Sequence, residues 1–220
     1  MSLGWLIASP GRFERPSEAG YTLVALLALM TVLALFALAA APNIRQQAQR
    51  EREIETIFRG EEVADAIRLY YSYQVTQKRL TRDQALPTSI DQLLEGVPFG
   101  TKKIQILRPS AARNLLSDSG EWNLVRPRSS QLSDFQRSLM LFAGNVRPPT
   151  NDPQLKSVEQ DMAGVVIVAL GISSEGHSSG DDGNSSGPFI GVSISSKNDS
   201  VINYYGIDRH DGWIFTPLFR

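Results

Sequence analysis

The chain has 220 residues, 42% of them apolar, enough for one globular domain with a packed core and an appendage. Its net charge is -1 with both signs interspersed, so it lacks the basic field that nucleic-acid binding needs. It has no cysteine and two histidines, His177 and His210, which excludes disulfides, thiol catalysis, thiolate metal sites and a histidine-rich metal centre.

Residues 21–41 read YTLVALLALMTVLALFALAAA, a run of 21 residues without a charge. As a helix it spans roughly 31 Å, the thickness of a hydrocarbon core. An uninterrupted run of this length near the N-terminus argues against the core helix of a soluble protein. A secretory signal peptide fits less well, because its apolar region has only about 7–15 residues. Ala39-Ala40-Ala41-Pro42 is the one feature that suits a signal-peptidase site. Charge counting argues only mildly for an orientation. Arg12 and Arg15 precede the run, whereas Arg45, Arg50, Arg52 and Arg59 follow it, which by count places the second flank in the cytoplasm.

The helical pattern continues past the apolar run. Ile44, Ala48, Ile54, Ile57, Phe58, Ala64, Ile67, Tyr71 and Val75 recur at steps of three and four, the mark of one apolar stripe. One helix is therefore predicted over 21–77, roughly 85 Å long. On it the Arg and Glu run at 50–55 reads as a solvated face, and Tyr70, Tyr71 and Tyr73 as helix–sheet core rather than a ligand platform. Pro42 predicts either a kink or a helix end at the membrane surface. Gly60 costs the helix about 1 kcal/mol relative to alanine.

Further on, Thr88 is placed to cap a short helix, with Asp91 three residues later. Residues 103–107 and 121–125 read as strands, 133–143 as a helix with Phe135, Leu139 and Phe142 on one side, and 145–153 as a proline-rich loop. Residues 164–170 suit a central strand, and 189–194, 201–205 and 213–215 suit short strands. Strands after a long helix predict an α+β domain, with an antiparallel sheet laid on the amphipathic half of the helix.

Glu18-Ala19-Gly20-Tyr21-Thr22-Leu23, opening a long apolar helix, resembles the prepilin peptidase site of type IV pilins and type II secretion pseudopilins. Residues 52–62 and 66–70, Leu86-Pro87-Thr88-Ser89-Ile90-Asp91-Gln92-Leu93-Leu94, Gly120-Glu121-Trp122, residues 189–192 and Trp213-Ile214-Phe215 are similar to later segments of the same family. The resemblance implies a pilin-like fold in four parts. Residues 1–20 would be a cytoplasmic leader cut after Gly20, with Tyr21 the methylated new N-terminus. Residues 21–41 would be the transmembrane and filament-core helix, kinked at Pro42. Residues 42–78 would continue that helix, and 79–220 would form the globular domain. It implies a bacterial inner-membrane protein with a single span and a periplasmic C-terminal domain. Its partners would be prepilin peptidase, other pilin or pseudopilin subunits and an inner-membrane assembly platform, with no nucleic acid. Tyrosine in place of the commoner phenylalanine at position 21 is a mild departure. Ala25 stands where most members carry a glutamate, which points to a minor or tip-proximal subunit. The missing cysteines favour a secretion pseudopilus, with a minor pilin for motility or DNA uptake as the alternative.

Two other patterns bear on chemistry. Gly176-His177-Ser178-Ser179-Gly180 matches the nucleophile-elbow pattern, with Asp208 and His210 following in triad order, as in a membrane-anchored periplasmic hydrolase. The elbow needs a helix directly after its serine, and Gly180-Asp-Asp-Gly-Asn-Ser-Ser-Gly187 suits none, so no catalytic residue is assigned. In the same loop Glu175, Asp181, Asp182 and Asn184 offer hard oxygen ligands, and the resemblance to major pseudopilins makes calcium the one cofactor to consider. Their spacing fits no EF-hand, and a solvated loop explains them equally.

Overall fold

The computed structural model describes residues 19–146, 150, 152–156, 158 and 187–219, with the backbone alone at 19, 39–43, 82 and 83. Its first element is one α-helix of 60 residues, α1, Ala19–Lys78. Alanine, leucine and methionine fill the first half and Arg, Glu and Gln much of the second, all good helix formers. The backbone stays helical through Pro42, so the helix does not end there. It stops at Lys78, where Arg79 enters the left-handed region (φ 53) and the Leu80 N–H returns to the Gln74 carbonyl at 3.3 Å.

The chain divides into two compact units, Met1–Gln46 and Gln47–Arg220. In the first, Gly20–Leu38 is long and apolar enough to cross a membrane, and its side chains are exposed. Thr31 returns its hydroxyl to the Ala28 carbonyl at 2.8 Å, which satisfies its polar group within the helix.

The second unit is α+β with small antiparallel sheets. After α1 come α2 (Arg82–Ala85) and α3 (Ile90–Glu95), then β1 (Val97–Phe99) and β2 (Lys102–Ile104), which pair with each other. Gly96 between α3 and β1 has φ +76, and a side chain there would begin 2.1 Å from the Ile104 carbonyl oxygen. A three-stranded sheet follows in the order β3 (Asn123–Val125), β4 (Gly191–Ser193), β7 (Ile214–Phe215), with Leu124 opposite Val192 and Val192 opposite Phe215. Helix α4 (Ser130–Phe142) buries Leu132, Phe135 and Leu139. The remaining hairpin, β5 (Asp199–Tyr204) and β6 (Ile207–Arg209), is a sheet of its own. Its two-residue turn, Tyr205-Gly206, has positive φ at both positions, as tight hairpins require.

Several sequence expectations shift. One sheet was expected and three appear among the described residues. The short helix is not tied by Thr88 and Asp91; Gln92 accepts from the Thr88 amide (3.0 Å) and donates to its hydroxyl (2.8 Å). Of the expected 103–107 strand only Lys103 and Ile104 pair, both exposed, while Leu107 is buried beyond the ladder. Helix α4 begins three residues early because Ser129 caps it, accepting from the Leu132 amide at 3.3 Å, and Phe142 is exposed. The strand expected at 164–170 lies outside the described residues.

The core shows where α1 faces inward. Glu53, Thr56, Gly60, Val63, Ala64, Ala66, Ile67, Tyr71 and Gln74 are buried. Ala64, Ile67 and Tyr71 match the expected stripe. Ile44, Ala48, Ile54 and Phe58 do not: they face solvent, and the buried line in this stretch runs through Glu53, Thr56 and Gly60 instead. The reason is the partner surface. The Phe215 ring lies directly on Gly60, where a β-carbon would sit 2.3 Å from its Cδ2. Trp122 meets that ring edge-on at 5.7 Å, and its indole N–H reaches the Ala111 carbonyl at 3.0 Å.

Candidate functional site

The proposed junction lies at the start of α1. Gly20 is helical, its φ is not positive, and a β-carbon built on it meets nothing within 4 Å. Tyr21 follows, fully helical and exposed. Glycine weakens a helix by about 1 kcal/mol relative to alanine, and it is usually kept where a turn or a close approach needs it. Gly60 meets such a need, with an aromatic ring in contact; Gly20 meets none within the described structure. The side chain of Pro42 is not among those described, nor are Glu175, Asp181, Asp182 and Asn184, so the calcium candidates lie outside the described residues. Among the described residues no group of three or more His, Asp or Glu side chains could hold a metal ion.

The hydrolase pattern is not assembled where it can be seen. His177 and Ser178 lie outside the described residues. Asp208 accepts from the Asn203 amide at 2.7 Å, not from His210. His210 is buried, and its Nε2 is already engaged at 2.9 Å by a different acid, Glu53.

That acid was read in sequence as part of a solvated face, and it is instead fully buried. Its two oxygens accept from the Val201 amide (3.0 Å to each), the Ile202 amide (2.8 Å), the Gln49 side-chain amide (2.8 Å) and His210. An ionised carboxylate only accepts, so His210 donates from Nε2. Burial by itself would raise the Glu53 carboxyl. The Val201 amide, His210, Gln49 and the Ile202 amide outweigh it and hold the group below its ordinary value of 4.5. Gln49 also donates to the Asp199 carbonyl at 3.0 Å, and Trp213 stands edge-on to the His210 ring at 5.1 Å. The arrangement ties α1 to β5 and to the turn after β6.

A second acid on α1, Glu62, meets Arg108 side-on, with Arg108 Nε at 2.8 and 3.0 Å from its two oxygens and Nη2 also in contact. The guanidinium lowers the Glu62 carboxyl and is itself raised, and it lies 5.4 Å over the exposed Phe58 ring. This pair is at the surface, so it is worth little to stability.

Family models, curated proteins and solved structures give no match to this chain.

The sequence carried a weak signal for Glu53. Positions 53, 56, 60, 63, 67, 71 and 74 advance by three and four, but the first three are Glu, Thr and Gly, which no apolar template selects. Gln49 four residues before Glu53 is the only local hint of a shared task.

Proposed function

We propose that the chain is a structural subunit of a type II secretion pseudopilus or a type IV pilus-like filament. It is made as a prepilin, held in the inner membrane by its apolar helix, and cut after Gly20. The single observation that supports this is a glycine with no turn or packing use among the described residues. Gly20 stands in the first turn of α1 with neither a positive φ nor, among the described residues, a neighbour within 4 Å of a β-carbon. It stands directly before Tyr21-Thr22-Leu23 and an exposed apolar helix. A protease that reads glycine accounts for that placement, whereas packing does not. The same helix has two solvents, lipid along Gly20–Leu38 and a protein core from Glu53 onward. In a filament the apolar half packs against other subunits, and its alanines allow close approach.

The absence of native cysteine makes the test clean. A single-cysteine variant such as Val32→Cys, oxidised in cells that assemble the filament, should cross-link to a partner subunit carrying a cysteine in its own apolar helix. The adduct should vanish in cells lacking the assembly platform. Monomer alone in both strains, for cysteines placed around the whole helix, would remove the filament role.

A further inference from the structure

We propose that Glu53 works as an acid-released clasp: while ionised it holds the β5–β6 hairpin to α1, and on taking up a proton it lets the hairpin open before the rest of the globular unit unfolds. This stands independently of the filament reading.

The geometry of the donors carries it. Among the described residues every polar group on the Glu53 oxygens is an N–H: two backbone amides, the Gln49 amide and the His210 ring. A protonated carboxyl must place a hydrogen of its own, and here it would point at donors in a site closed to water. Two rearrangements would relieve this, and both are obstructed. If His210 moved its proton to Nδ1, Nε2 could accept, but Nδ1 is buried with no partner among the described residues, so the moved hydrogen would be stranded. If Gln49 turned its carbonyl toward Glu53, it would give up its bond to the Asp199 carbonyl. Opening is the remaining route.

The hairpin is the part able to open. It shares no strand ladder with β3-β4-β7 among the described residues; besides Glu53, side-chain contacts hold it, chiefly Tyr204 on Trp213 and Phe215 and the Trp213 indole N–H to the Ile207 carbonyl at 3.2 Å, and a two-stranded ladder adds little stability of its own. Two amides of β5 end on Glu53 itself, so losing that acceptor removes bonds from the strand directly. Other charges around the clasp are occupied or exposed. On α1, Arg50, Glu51 and Arg52 face solvent. On the hairpin and its turn, Asp199 is exposed, Asp208 bonds Asn203, and Arg209 pairs with Asp211 at 2.9 Å. The Glu53 carboxyl lies below 4.5 when folded, so release belongs on the acid side of that value.

Amide hydrogen exchange on the full chain in detergent micelles tests this, with rates corrected for intrinsic exchange. From about pH 7 to about pH 3.5, protection across Asp199–Tyr204 should fall by about tenfold or more while Gly191–Ser193 keeps its protection. Glu53→Gln should show the low hairpin protection at both values. The proposal is overturned if the wild-type hairpin keeps its protection in acid, or loses it together with β4. It is overturned equally if the folded Glu53→Gln variant retains the wild-type pH dependence. Should that variant not fold, the wild-type comparison decides alone.

Discussion

At the scale of single residues, two positions on α1 explain why its inner face is not its most apolar one. Glu53 is stable inside because four donors satisfy it, so removing its charge should be felt. Glu53→Gln keeps the shape but turns an amide hydrogen toward donors, and it should lose about 1–3 kcal/mol in urea unfolding at neutral pH. The pH dependence has a definite sign. The folded carboxyl is lowered, so its contribution is complete above about 4.5 and is lost as pH falls through the folded value. The difference between wild type and variant should therefore shrink in acid, and an equal gap at all pH values would contradict the charge as its source. Gly60 makes the opposite point. Alanine there gains about 1 kcal/mol of helix propensity, yet its β-carbon would meet Phe215 at 2.3 Å. Gly60→Ala should destabilise by about 1–3 kcal/mol net, and adding Phe215→Leu should recover part of the loss. A stabilised single variant would show that the ring yields freely.

At the scale of elements, legibility followed how local the causes are. The helix predicted over 21–77 is observed over Ala19–Lys78, because propensity and length act within the segment. The strands expected at 121–125, 189–194, 201–205 and 213–215 all appear; three are shorter than expected, and β5 starts two residues earlier and ends one earlier. Their alternation was visible; their ends depend on partners that the sequence does not print. Strands β1 and β6 went unseen, since Val97-Pro98-Phe99 contains a proline and Ile207-Asp208-Arg209 has one apolar residue. Helix α4 was placed three residues late because its cap, Ser129, sits in a run of serine and arginine that also reads as loop. Ser129→Ala should lower stability by about 1 kcal/mol, seen as a reduced melting temperature with the fold intact. No change would mean that the cap bond adds nothing here. The inner face of α1 was misread between 53 and 60 because hydrophobicity was the only guide. What decides that stretch is long-range, namely hairpin amides at 201 and 202 and a ring at 215.

At the scale of the whole molecule, one helix serves two environments, an exposed apolar stretch able to cross a membrane and a stretch built into a small α+β unit. The first was evident from composition, and the second only in outline. The account rests on Gly20 being there for a protease rather than for the fold, and that can be separated by substitution. Gly20→Ala should leave the stability of the globular unit unchanged, because no described residue lies within 4 Å of its β-carbon. The most direct measurement is mass spectrometry of the N-terminus of the protein isolated from cells that express prepilin peptidase. The account predicts a chain that begins at a methylated Tyr21, and an uncut chain under the same conditions for a Gly20 variant. A wild-type chain that keeps residues 1–20 with the peptidase present, or one that begins at Asn43, would contradict it.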